Sequence, residues 1–208
     1  MDPLFILLSA GFLSLLVAFA CHEFAHGWAA YQLGDPTAKY EGRLTLNPLV
    51  HLDLIGSAVI LMTLLVSGGQ WVMGWARPVR FDPRNLKSEI FDGALIAFAG
   101  PAANLSLALV GGLVMRLGLV PEPLAEVLRI FVAVNVAMAI FNLLPVPPLD
   151  GWKVAQGFLP RSLAYEMRGL EHRAGMIPLF ALLALFYVFG DWILRPPFEF
   201  LMRLFTGQ

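Results

Sequence analysis

Residues 4–26 read LFILLSAGFLSLLVAFACHEFAH, and the join inside that stretch decides the fold. From Leu4 to Ala20 there is no charge, and Gly11 is the only helix breaker. Directly after Cys21 come His22, Glu23 and His26 in the pattern H-E-x-x-H. Ionisable groups at membrane depth are costly, so they mark function by default. Residues four apart share one face of a helix, so His22 and His26 can grip one ion, with Glu23 beside them to activate a water. At about 1.5 Å per residue, His22 lies roughly 27 Å along the helix from Leu4. The motif therefore falls near the inner end of a membrane span, not at its centre.

The rest of the chain agrees with a bilayer setting. Of 208 residues, 58% are hydrophobic and 14% charged, against about 45–50% and 25% in soluble domains. An all-α polytopic membrane protein is expected, in contact with the lipid bilayer. A net charge of −1 gives no basic footprint and argues against nucleic acid as a partner. The single cysteine, Cys21, excludes an internal disulfide framework and a cysteine zinc cluster, and reads as a small apolar filler. The start of the chain has no basic n-region and no A-x-A-like cleavage site, which predicts a retained helix and not a signal peptide.

Five apolar stretches follow one another: about Leu4–Leu33, Leu52–Val66, Phe91–Val120, Leu124–Leu144 and Met176–Leu194. A spanning helix needs about 20 residues. Four stretches reach that, and the second falls short. If the second spans, the loops divide Lys and Arg six against eight; if it only dips in and returns, loops 34–51, 67–90 and 146–175 share ten against four. The positive-inside rule prefers the dipping arrangement, with those loops cytoplasmic and the N-terminus outside. Trp71 and Trp75 fit an interfacial belt, Arg77-Pro78-Val79-Arg80 a cytoplasmic anchor near headgroups, and Arg195–Phe205 an amphipathic tail.

Two imidazoles do not complete a catalytic zinc site, which takes three protein ligands and leaves a fourth position for water. The remaining histidines, His51 and His172, are possible third ligands. Asp150 is the better one. It closes the run Asn142-Leu143-Leu144-Pro145-Val146-Pro147-Pro148-Leu149-Asp150-Gly151, where prolines break a helix and expose carbonyls. Broken helix at membrane depth is tolerated only against protein or a wet cavity. The dipping arrangement puts Asp150 on the same side of the membrane as His26.

H-E-x-x-H at His22–His26 together with Asn142–Gly151 resembles the site-2 protease family of intramembrane zinc metalloproteases, marked by H-E-x-x-H and a later N-x-x-P-x-P-x-L-D-G. Gly100-Pro101-Ala102-Ala103-Asn104 is similar to the family's G-P-x-x-N on the helix between. The resemblance covers roughly His22 to Gly151. It implies a three-helix catalytic core (about residues 4–151), one Zn2+ held by His22, His26 and Asp150, Glu23 as general base and later proton donor, and Asn142 holding substrate or the oxyanion. An additional helix and the tail, about 176–208, complete one membrane-embedded protease domain over 1–208. Many relatives carry a PDZ or CBS module, and no stretch here is long enough for either. Gly100 and Pro101 also read as a kink with close helix packing, and Asn104 as a buried amide supporting the site.

The implied reaction is hydrolysis of a peptide bond in or near a transmembrane segment of a membrane-protein substrate, at the cytoplasmic side of the cell membrane. Such a helix must unwind before cleavage. Arg43-Leu44-Thr45-Leu46 alternates like a short strand between Gly42 and Asn47-Pro48. A small β element after the first helix, pairing with unwound substrate, is expected there, as the family also has such strands.

Overall fold

The computed structural model describes residues 3–68, 74, 77–122 and 124–207, apart from the side chains of 3–6, 172, 187, 188 and 191. Trp71 and Trp75 lie outside the described residues. The chain runs through α1 (Pro3–Gln32), α2 (Thr37–Tyr40), α3 (Pro48–His51), α4 (Leu54–Val66), α5 (Glu89–Arg116), α6 (Leu124–Asn142), α7 (Asp150–Gly157), α8 (Arg161–Ala174), α9 (Ile177–Ile193) and α10 (Arg195–Thr206). A 3-10 turn, Pro83–Asn85, precedes α5.

Three helices are long and apolar enough to cross a membrane: Leu7–Gln32, Glu89–Arg116 and Leu124–Asn142. These are α1, α5 and α6, and they pack on one another as the centre of the molecule. The fifth apolar stretch forms α9, whose 17 residues rise about 26 Å, short of the roughly 30 Å hydrocarbon core. At 13 residues α4 is shorter still, and Leu54, Ile55, Met62, Leu65 and Val66 along it are exposed.

Small residues set how closely the central helices approach. Ala108 on α5 and Val132 and Val136 on α6 are fully buried, and Phe205 of α10 closes the same cluster. A Cβ on Gly112 would fall 2.6 Å from the Phe205 carbonyl oxygen, so α10 lies against bare backbone there. The tail is amphipathic as its sequence predicts, but Phe198, Leu201, Met202 and Phe205 turn their apolar face onto α5 and α6. At its N-terminus α5 is capped by Ser88, whose Oγ accepts from Phe91 N at 3.4 Å while Asp92 Oδ2 accepts from Ser88 N at 2.8 Å.

Two features depart from the sequence reading. Residues 146–175, expected as a loop, hold α7 and α8; the polar sequence of α8 hides it from a search for apolar runs. Among the described residues there is no strand, and Arg43, Leu44, Thr45 and Leu46 lie in an irregular turn between α2 and α3. A strand needs a partner ladder, and two of these backbone groups, with the Thr45 hydroxyl, are engaged locally instead. Arg43 N donates to Ala38 O at 2.8 Å, Thr45 O bonds His51 Nε2 at 2.9 Å, and Thr45 Oγ1 accepts from Asn47 N at 3.1 Å.

Candidate metal centre

The helix α1 delivers His22, Glu23 and His26 together, all buried. Asp150 arrives from the opposite direction. After α6 ends at Asn142, the chain turns tightly, with Val146 N donating to Leu144 O and Leu149 N to Val146 O. Asp150 then opens α7, where the helix dipole favours a carboxylate. His22 Nε2 and His26 Nε2 stand 3.0 Å apart, and Asp150 Oδ2 lies 3.1 and 3.2 Å from them. These three are the group of possible metal ligands that the described residues bring together.

Second partners fix which nitrogen of each imidazole faces inward. Asn104 is fully buried on α5, and its Nδ2 donates to Ala18 O at 3.2 Å and Asn135 Oδ1 at 2.9 Å. Its Oδ1 must then accept, which makes His22 Nδ1, 2.6 Å away, the donor. His26 Nδ1 likewise donates to Ile96 O at 2.7 Å. Both Nε2 atoms are therefore bare lone pairs, and both face a carboxylate oxygen. Three lone pairs converging in this way call for a cation. Ligands about 2.0–2.2 Å from a tetrahedral zinc stand about 3.3 Å apart, so the spacing observed fits that ion closely.

The helix α5 comes close enough to be the floor of this cluster. A Cβ on Gly100 would lie 2.7 Å from His22 Cε1 and closer still to His26 Nε2. Pro101 follows inside the same helix and is buried. Gly100 and Asn104, one turn apart, thus supply space and a hydrogen bond to the same pair of imidazoles.

Glu23 is held from a direction the sequence does not announce. Residues 77–82 run without helix over the end of α1, as a strap. Val79 N donates to Glu23 Oε2 at 2.8 Å, and Glu23 Oε1 has no partner among the described residues. The strap is itself pinned along its length. Arg77 N donates to His51 O at 2.7 Å, Arg43 donates to Pro78 O at 2.8 Å, and Asp82 N donates to Asp35 Oδ2 at 2.8 Å. Asp35 is fully buried and also accepts from Thr37 Oγ1 at 2.6 Å and Asn85 Nδ2 at 2.7 Å. Burial pushes its carboxyl up, yet these donors together hold it below the ordinary aspartate range.

Other expected site residues are not joined to the cluster. Asn142 turns its amide back onto α6, donating to Met138 O at 3.0 Å. His51 is buried and bonded to Thr45 O, beside the strap and not among the ligands. The His172 side chain lies outside the described residues. Asn135, Asp35 and Val79 were missed by sequence reasoning. Asn135 and Asp35 are single polar residues in no motif, and Val79 contributes only a backbone N–H.

The protein named "Putative zinc metalloprotease YwhC", from Bacillus subtilis (strain 168), is 38% identical over 168 residues, covering 76% of this chain and 73% of that protein. Two mycobacterial proteins named in the same way as Rip2 are similar over shorter shares of their length. The one from Mycolicibacterium smegmatis (strain ATCC 700084 / mc(2)155) is 32% identical over 71% of this chain, which spans 55% of it. The one from Mycobacterium tuberculosis (strain ATCC 25618 / H37Rv) is 30% identical over 74% of this chain, which spans 58% of it. No family model matches the chain, and no solved structure does.

Proposed function

Because the chain belongs to the zinc metalloprotease family of YwhC and Rip2, we propose that it is a site-2-type intramembrane endopeptidase. Its substrates, on this reading, are membrane-spanning proteins, cut in or near a transmembrane segment on the cytoplasmic side of a multi-pass cell-membrane protein. The observation that carries the reading is the convergence of His22 Nε2, His26 Nε2 and Asp150 Oδ2 at 3.0–3.2 Å, with both histidines in the C-terminal half of the candidate span Leu7–Gln32. The side of the membrane rests on the ten-to-four division of basic residues between loops.

His22, His26 and Asp150 would hold one Zn2+, and an ion there supplies Lewis-acid polarisation of a carbonyl and an acidified water. Glu23 does the proton work. Val79 N–H fixes Oε2, so Oε1 is the oxygen left to take a proton from the attacking water and return it to the leaving nitrogen. Asn104 and Ile96 O keep both imidazoles in the tautomer that presents Nε2. Asn142, at the end of α6, is the candidate donor to substrate or oxyanion, a role that requires its amide to turn away from Met138 O.

The test compares wild type with Glu23→Gln in cells co-expressing single-span membrane proteins. Wild type should cleave a substrate; Glu23→Gln should retain zinc and lose about 100-fold or more of the rate. Equal cleavage by both, or zinc flux without cleavage of any candidate, would overturn the reading.

A further inference from the structure

A polar cavity of about 290 Å3 lies beside the strap and is lined by Glu41, Arg43, Val50, Arg77 and Arg80. That volume is at the lower end of the roughly 300–1,000 Å3 typical of small-molecule sites. Three guanidinium groups face one carboxylate. Glu41 Oε2 is already engaged with Arg43 Nε at 3.2 Å, and neither Arg77 nor Arg80 has a carboxylate partner among the described residues. Arg43 is only 7% exposed and is locked by Pro78 O, so it is a preset part of the wall and not a wandering surface chain. Positive charge in excess of its one counter-charge, in a concave wall with one arginine fixed, calls for an anion. Planar guanidinium forks match the several acceptor oxygens of a phosphate better than a single carboxylate can.

We infer that this cavity binds a phosphate group bearing net negative charge, carried by an anionic phospholipid headgroup or by free phosphate. Headgroup chemistry suits its place. Val79, between these two arginines, packs toward Gly27 in the last part of the candidate span Leu7–Gln32, a Cβ on Gly27 falling 3.4 Å from Val79 Cγ1, and the strap's Asp82 bonds Asp35 just beyond the end of that span. Basic pockets at membrane edges bind such headgroups. The consequence of occupancy follows from the strap. Arg77 and Arg80 flank Pro78 and Val79, and Val79 N–H holds Glu23. An anion gripped by both arginines restrains the segment that positions Glu23; the catalytic meaning of that restraint rests on the proposed hydrolase reading, whereas the binding does not.

The experiment uses the full chain in neutral detergent, titrated separately with short-chain phosphatidylglycerol, short-chain phosphatidylcholine and inorganic phosphate. Tm and hydrogen exchange of the 77–82 amides are the readouts, and neither needs turnover. Phosphatidylglycerol should raise Tm and slow exchange in the strap, and phosphatidylcholine, whose choline cancels the charge, should do neither. Arg77→Gln/Arg80→Gln should weaken the response about tenfold or more through loss of two charge-assisted contacts. Both positions are exposed and solvent-tolerant. Glu41→Gln, a change of opposite sign, should tighten it. A response to inorganic phosphate equal to that with lipid assigns the site to free phosphate, and one confined to phosphatidylglycerol assigns it to headgroups; both support the site. No response to either anion, or equal responses from wild type and the double variant, overturns it.

Discussion

His22 and His26 come from one turn of α1, whereas the third candidate ligand, Asp150, stands 128 residues along the chain from His22. The first side is local: helical spacing alone sets the two imidazoles on one face. The second depends on topology, since α6 must return beside α1 and end in a tight turn before Asp150 can start α7. The helix side carries its own supports, Asn104, Ile96 O and the bare backbone at Gly100, all from α5. Among the described residues, Asp150 has no comparable hydrogen-bonded support. A metal site built this way should tolerate loss of its parts unequally.

Removing the topological half should be the largest effect. Asp150→Ala should lower zinc affinity by more than the roughly 100-fold that loss of an outer partner causes, read as bound zinc after dialysis against a chelator. Gly100→Ala should come close to it without touching a ligand, because the new methyl displaces both imidazoles; zinc content and helicity measured together separate a spoiled site from an unfolded chain. Asn104→Leu leaves the ligands in place but frees the His22 tautomer, and affinity should fall about 10–100-fold. If Asn104→Leu cost as much as Asp150→Ala, the contrast between the two halves would collapse.

The smallest expected effect is at Asp35, which anchors the strap but touches no ligand. Asp35→Asn should destabilise the fold by about 1–2 kcal/mol through weakened bonds to Asp82 N, Asn85 and Thr37, with zinc affinity unchanged. The folded-state value of Asp35 is depressed below the ordinary 3.8. Its contribution is therefore present above 3.8 and lost as pH falls through the folded value. Thermal unfolding should show the wild-type advantage over Asp35→Asn at neutral pH and its disappearance in strong acid.

What could be read from the sequence was whatever identity and period encode. H-E-x-x-H states its own geometry, and the proline-broken run ending at Asp150 states where a carboxylate can reach a buried ion. The length of the apolar runs located α1, α5, α6 and α9 to within a few residues. Hidden features share a cause. Val79 acts through an N–H that every non-proline residue has, so nothing in its identity marks the strap. Asp35 and Asn135 gain their meaning only from neighbours brought in by the fold. The alternation of Leu44-Thr45-Leu46 misled because period two is necessary for a strand but does not supply a partner.

The bare backbone at Gly100 has a mechanical consequence. Sliding α5 by one residue, about 1.5 Å along its axis with a turn of roughly 100°, would present Ala99 or Pro101 to the imidazoles, and each carries a Cβ. The register between α1 and α5 is thus a single notch with no neighbouring rest position. A one-residue slip of α5 along α1 would therefore push a methyl or a pyrrolidine ring into the two imidazoles.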